Sequence, residues 1–260
     1  MELLSAVHPA TVWLADVAAT RPDLLRLLDP GERARWSALR DPRDRDRYVV
    51  AHALARVLLG GLTGTEPAQL GFAATCHWCG GPHGKPRLRA AGGHRFSLTH
   101  SGRLVAVAVT REVEVGVDIE EIALRGTGLP LTVLSTVEQE ALATVPGPER
   151  LPAFIRYWTR KEAVLKATGH GLGLAPARLT VTPPWQPPAL LAWSGGPRIP
   201  VHLYDLTVPD GYRGCLASVG TPLAVSMRDG TGLLAGPLNR AAHRVGADEN
   251  DERQGAEHVH

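Results

Sequence analysis

Asp118, Glu120 and Glu121 crowd three carboxylates into GVDIEEI (116–122), and about forty residues later WTRKEAVLK (158–166) adds Glu162 and Lys166. GVDIEEI is apolar enough for a strand. Side chains alternate faces along a strand, so Asp118 and Glu120 point one way, and Val117, Ile119 and Glu121 the other. Two carboxylates on one face repel each other unless a cation lies between them; alone, such a pair is ordinarily a solvated strand face. WTRKEAVLK has the pattern of a helix, on which Glu162 and Lys166 are i,i+4 neighbours with Trp158 one turn earlier. A surface ion pair of that spacing contributes only about 0.3–0.5 kcal/mol, but Trp158 on the same face argues against full solvation. If this helix lies across the GVDIE strand, Asp118, Glu120 and Glu162 converge with Lys166. Such an oxygen-rich cluster suits Mg²⁺, which keeps positions for water and phosphate oxygens, and the lysine suits a phosphate as a point charge.

Three further stretches carry phosphate-binding groups. His100 stands in SLTHSG (97–102), where a strand runs into a turn, with Thr99 and Ser101 beside it. Lys85 occupies GKP (84–86), a loop framed by glycine and proline. The segment 33–47 holds Arg33, Arg35, Arg40, Arg43, Arg45 and Arg47; most must be solvated, while one or two can clamp a phosphate. Taken singly, each has an ordinary structural explanation.

These residues need elements to hold them. ATVWLADV (10–17) predicts a first strand, and Pro22–Leu28 and Pro30–Leu39 predict short helices, each opening near a proline and an acidic residue. RDPRDRDR (40–47) is a charged lead-in to an amphipathic helix over Tyr48–Leu59, closed by Gly60-Gly61. FSLTHS and LVAVAVT, joined at Gly102, predict a hairpin. In the second half Ser135 and Glu138 form a capping-box pattern, and a helix runs from about Pro152 to Thr168. SLTHSGRLVAVA (97–108) lies over CLASVGTPLAVS (215–226), and HALARVLLGGL (52–62) lies over EAVLKATGHGL (162–172), in the same order. Two matches in one order predict an α+β fold built as a pseudo-two-fold pair of similar lobes. Their expected limits are 1–114 and 115–235, with a disordered tail over 236–260. A site between the lobes could draw ligands from both.

Composition sets bounds. At 260 residues, 44% apolar and 21% charged, the chain is ordinary for a soluble globular protein, and a net charge of +2 gives no global case for nucleic acid or membrane. The N-terminus lacks a basic stretch and breaks at Pro9, and no run approaches the roughly 18 apolar residues of a membrane span. Three cysteines are too few for a disulfide framework. A cytoplasmic protein is expected. Cys76, Cys79 and His83 in CHWCGGPHGKPRL (76–88) supply three local ligands toward the four of a structural zinc site. Zinc there is a secondary expectation beside a loop with two reduced thiols.

FSLTHS, GVDIE and WTRKEAVLKATGHGL, in this order and spacing, resemble the 4′-phosphopantetheinyl transferases, most nearly the larger surfactin-synthetase-activating class, a monomer of two similar lobes. The resemblance implies that Asp118, Glu120 and Glu162 bind Mg²⁺ at the pyrophosphate of coenzyme A. It implies that Lys166 and His100 contact the phosphates, that Lys85 and Arg47 hold the nucleotide and its 3′-phosphate, and that Arg35 and Thr99 assist. Two departures from the family pattern are Thr99, where serine is usual, and Glu32, where a relative has a basic residue. The implied reaction moves phosphopantetheine from coenzyme A to a serine of an apo acyl- or peptidyl-carrier protein, most readily a polyketide or non-ribosomal peptide carrier, releasing 3′,5′-ADP. Glu162 is the candidate general base. The rival readings are a non-catalytic coenzyme A or carrier-binding module, against which the complete Asp118, Glu120, Glu162 and Lys166 set speaks, and a metal-dependent nuclease, which would need a basic groove.

Overall fold

The computed structural model describes residues 7–76, 79–81, 84–89, 92–124, 128–196 and 198–236. The tail expected over 236–260 lies, apart from Gly236, outside the described residues. The first half runs β1 (His8–Asp16), α1 (Pro30–Ala38), α2 (Pro42–Thr63), β2 (Phe72–Ala74), β3 (Pro86–Leu88), β4 (His94–Ser101) and β5 (Leu104–Arg111). The second runs β6 (Val115–Glu121), α3 (Thr136–Ala143), α4 (Gly147–Thr168), β7 (Leu179–Val181), β8 (Leu190–Trp193), β9 (Val201–Asp205), β10 (Tyr212–Val219), β11 (Leu223–Asp229) and α5 (Thr231–Ala235).

Two sheets carry the fold, one ordered β11-β1-β5-β4 and the other β6-β10-β9. LVAVAVT is apolar throughout because both faces of β5 are covered. Val105, Val107 and Val109 pack under α2, whereas Ala106 and Ala108 face a second core shared with Val117 and Ile119 of β6 and Leu216 of β10. A third core lies between α4 and the β6-β10-β9 sheet. Alternation along single strands therefore separates a helix-facing side from a sheet-facing side in both halves, as the α+β reading expected.

The two long helices are each 22 residues and each closes on a left-handed glycine, Gly64 and Gly169. The charged stretch expected to precede the first of them is in fact part of it. Asp41 caps Arg43 N–H at 2.8 Å and Pro42 takes the first helical position, so the helix begins six residues earlier than its apolar pattern suggests. Gly60 does not end it: a Cβ there would meet Thr65 O at 2.8 Å, so this glycine serves close packing. Glu138 reaches back to cap the start of α3, accepting from Ser135 N–H at 2.7 Å as the capping-box pattern expected.

The internal repeat holds in its turns and departs in its pairing. Gly102 and Gly220, which the repeat superimposes, are both left-handed, with φ of 55° and 81°. β4 and β5 then pair as a hairpin, but β11 leaves β10 and runs parallel to β1, from His8↔Leu223 to Leu14↔Asp229. Residues 223–229, expected in the second lobe, thus complete the sheet of the first. The edge of β1 is covered in this way rather than left as an open row of backbone groups.

Candidate active site

α4 lies directly on β6, and Gly116 is what allows it. A Cβ at that position would meet Ala163 O at 2.1 Å and Ala167 N at 2.2 Å, both in the helix backbone. With the two elements in contact, Asp118 and Glu120 of β6 face Trp158, Glu162 and Lys166 of α4. Lys166 Nζ donates to Asp118 Oδ1 at 2.6 Å, and Trp158 Nε1 donates to Glu120 Oε1 at 3.3 Å. Glu121 faces the other way, against the turn at Gly102, so it stands apart from this cluster.

Asp118 is 2% exposed and Glu162 8%. One oxygen of each, Asp118 Oδ2 and Glu162 Oε1, is buried without a hydrogen-bond partner. Burial raises the Asp118 carboxyl to about 6 against the pull of Lys166, with Glu120 adding to the rise. Burial likewise raises Glu162 to about 7, with Asp118 and Glu120 adding to the rise and Lys166 opposing it. The cluster therefore holds more negative charge than its one lysine compensates. Among the described residues no three His, Cys, Asp or Glu side chains form a ready metal-binding group. What the site does offer is oxygen alone, from two elements, with two buried oxygens unpartnered. Those donors fit a hard divalent cation such as Mg²⁺.

His100 stands one residue before the end of β4, on the exposed side of the strand. Desolvation by the surrounding walls, then Arg47 and Lys166, hold its imidazole below the usual range. Arg47 is fixed beside it, donating to Gly102 O at 3.0 Å and Asp44 Oδ1 at 2.6 Å. Thr99 is buried, and its hydroxyl donates to Asp118 Oδ1 at 3.1 Å. Lys85 is likewise engaged: its ammonium donates to Glu114 Oε2 and Val115 O at 2.8 Å and to Ala167 O at 3.0 Å. It ties the β2–β3 hairpin to the end of α4. Arg35 is exposed on α1.

A cleft of about 1380 Å³ runs from Gly31 and Arg35 on α1, past Phe72 and Lys85, to Lys166 and Gly169 at the end of α4. Lys166 belongs both to this lining and to the carboxylate cluster; Arg47 and His100 stand outside the lining. Glu32, the departure noted in the sequence, is turned inward. It shares a capping box with Asp29 and accepts from the fully buried Arg56 at 2.8 Å. Cys76 and Cys79 line the cleft, and Gly81 N–H donates to Cys79 Sγ at 3.4 Å. His83, the third ligand of the zinc expectation, lies outside the described residues.

Sequence reasoning named Ser101 only as a neighbour of His100 and missed that its hydroxyl donates to Glu120 Oε2 at 2.5 Å; it missed altogether Glu114, which holds Lys85, and Arg56, which holds Glu32. The hydroxyls at 97, 99 and 101 were a usable signal, since alternate positions of a strand share one face. Glu114 and Arg56 gave none.

Known proteins resemble this chain in sequence. A family model described as the 4′-phosphopantetheinyl transferase superfamily matches residues 114–217, the stretch that holds the carboxylates and Lys166. The 4′-phosphopantetheinyl transferase HetI of Nostoc sp. is 32% identical over 201 residues, covering 70% of this chain and 81% of that protein. The putative 4′-phosphopantetheinyl transferase slr0495 of Synechocystis sp. is 33% identical over 155 residues, 58% of this chain and 61% of its own length. A solved apo-ACPS structure from Chronobacterium ammoiniagenes covers 41% of this chain and 95% of its own, with 20% identity and a TM-score of 0.34.

Proposed function

The chain belongs to the 4′-phosphopantetheinyl transferase superfamily, and from that premise we propose how its residues move phosphopantetheine from coenzyme A to a serine hydroxyl of an apo carrier protein. In that reaction the serine oxygen bonds to the phosphorus next to pantetheine, the pyrophosphate P–O bond breaks, and 3′,5′-ADP leaves. Such transfer depends mostly on positioning and on offsetting charge.

The cleft receives the nucleotide, with Arg35 at its α1 end and Lys85 in its wall. Lys166 reaches from Asp118 to the phosphates and offsets charge on the departing oxygen. His100, whose imidazole pKa is lowered by burial, donates an N–H to a phosphate oxygen, and Arg47 adds positive charge beside it. Asp118, Glu120 and Glu162 would hold Mg²⁺, which would supply charge neutralisation at the pyrophosphate and polarise the phosphorus. Glu162, whose carboxyl is raised by burial to about 7 before any metal binds, takes the serine proton.

The observation that carries this reading is the pair of buried, unpartnered oxygens on Asp118 and Glu162, set beside a lysine at the end of a nucleotide-sized cleft. The carriers we assign are those of polyketide and non-ribosomal peptide synthases, on the resemblance to the larger two-lobed class. We further assign a cytoplasmic monomer with no nucleic acid or membrane partner, on the near-neutral net charge and the resemblance to the two-lobed class. The test is intact-mass spectrometry of an apo carrier protein incubated with this protein, coenzyme A and Mg²⁺. A gain of one phosphopantetheine, lost with chelator and with Asp118→Ala, is expected. No gain on several unrelated carriers, with coenzyme A still bound, would overturn it.

A further inference from the structure

β4 and β6 are edge strands of different sheets, and they meet through side chains. Three hydroxyls at alternate positions of β4 face β6, and all three residues are buried. Ser97 Oγ accepts from Val117 N–H at 3.1 Å, and Thr99 Oγ1 donates to Asp118 Oδ1 at 3.1 Å. Ser101 Oγ donates to Glu120 Oε2 at 2.5 Å and accepts from Glu121 N–H at 3.0 Å. Hydroxyls thus satisfy β6 backbone donors that would otherwise lie along an unpaired strand edge.

The consequence falls on the carboxylates. A carboxylate with one oxygen held by a buried hydroxyl loses the freedom to rotate that oxygen elsewhere. In Asp118 the held oxygen is Oδ1, which also accepts from Lys166, and this fixes Oδ2 as the unpartnered one. Glu120 is longer, with more torsions to restrain; it is held from both sides, by Ser101 on Oε2 and Trp158 on Oε1. His100 lies between the two hydroxyl positions on the opposite face of the same strand. The contacts that orient the carboxylates therefore also set their offset from the histidine.

We propose that Thr99 and Ser101 are positioning residues: their hydroxyls preset Asp118 and Glu120 for a divalent cation and hold that pair in register with His100. This rests on the phosphopantetheinyl transfer reading above, since it assumes that these carboxylates take a metal. Outer contacts of this kind typically change metal affinity about 10–100-fold when removed.

The test measures Mn²⁺ binding by electron paramagnetic resonance of the unbound ion, with coenzyme A present, and in parallel the Mg²⁺ concentration giving half-maximal transfer. Thr99→Val keeps the shape and removes the hydroxyl; Ser101→Ala does the same at the second carboxylate. Each is expected to weaken Mn²⁺ binding about 10-fold; Thr99→Val should melt near wild type, and Ser101→Ala somewhat lower, because it also takes the acceptor from Glu121 N–H. Thr99→Ser and Ser101→Thr, which restore a hydroxyl, should return affinity to near wild type, a rescue that a purely packing role would not produce. Wild-type affinity in both hydroxyl-less variants would overturn the proposal. Should Thr99→Val melt below the assay temperature, Ser101→Ala decides alone. Wild-type protein that binds no Mn²⁺ would instead sink the metal assignment itself.

Discussion

Asp118 on β6 and Glu162 on α4 repel each other across the strand–helix contact, each with one oxygen buried and unpartnered. An arrangement of that kind costs stability on its own and is kept where a bound group offsets it.

Glu162→Gln should therefore stabilise the chelator-treated protein while abolishing transfer. Burial raises the Glu162 carboxyl from the ordinary 4.5 of a glutamate to about 7, so its favourable contribution is complete below about 4.5 and is lost as pH rises through 7. Glutamine does not ionise. Melting curves in chelator should show the variant gaining on wild type between pH 5 and pH 8, by a few degrees at the upper end. Added Mg²⁺ and coenzyme A should raise the wild type and leave the variant behind. An unchanged difference across that pH range would contradict the shift.

His52 gives the opposite slope. Its ring stacks on Tyr48 at 3.8 Å, and Nδ1 donates to Tyr48 O at 2.9 Å. Burial lowers its pKa to about 4, with Arg56 and Arg35 lowering it further against the Tyr48 bond and Asp29. The unfolded chain binds a proton the folded one refuses, so stability is present above about 6.5 and falls as pH drops through 4. Urea midpoints at pH 7 and pH 4.5 should differ more for wild type than for His52→Gln.

Glu32→Lys installs the basic residue of a relative at the cleft and should still fail to strengthen coenzyme A binding. Arg56 is fully buried and bonds Glu32, Asp29, Pro67 O and Leu70 O. A lysine at position 32 places a second cation against that guanidinium. The expected loss is about 3–5 kcal/mol of unfolding free energy, the range for breaking a buried ion pair. A stable variant with tighter coenzyme A binding by calorimetry would show that Arg56 has partners enough without Glu32.

Gly116→Ala forces a methyl against the α4 backbone, which has no flexible end to move aside. About 3 kcal/mol of destabilisation is expected. Because α4 carries Glu162 and Lys166 away from Asp118 when it shifts, transfer should fall further than stability does. Parallel measurement of turnover and denaturant midpoint separates the two effects.

What the sequence determined by itself is local. Two-residue alternation put Asp118 and Glu120 on one strand face and Glu121 on the other, and four-residue spacing put Glu162 beside Lys166. Apolar periodicity located α4 and β5, and the Ser135 capping box marked the start of α3. Each depends on neighbours within one turn or one strand, where backbone geometry leaves few alternatives. Tertiary structure decided what each group meets. It set α4 on β6 at Gly116, turned Thr99 to Asp118 and Ser101 to Glu120, and bound Lys85 to Glu114 and to Ala167 O across the cleft wall. It also buried Glu32 against Arg56 and carried β11 back to β1. These partners stand tens to hundreds of positions apart, and they meet because burying apolar faces brings the elements together. The polar groups caught between those elements then bond whatever the packing has placed within reach.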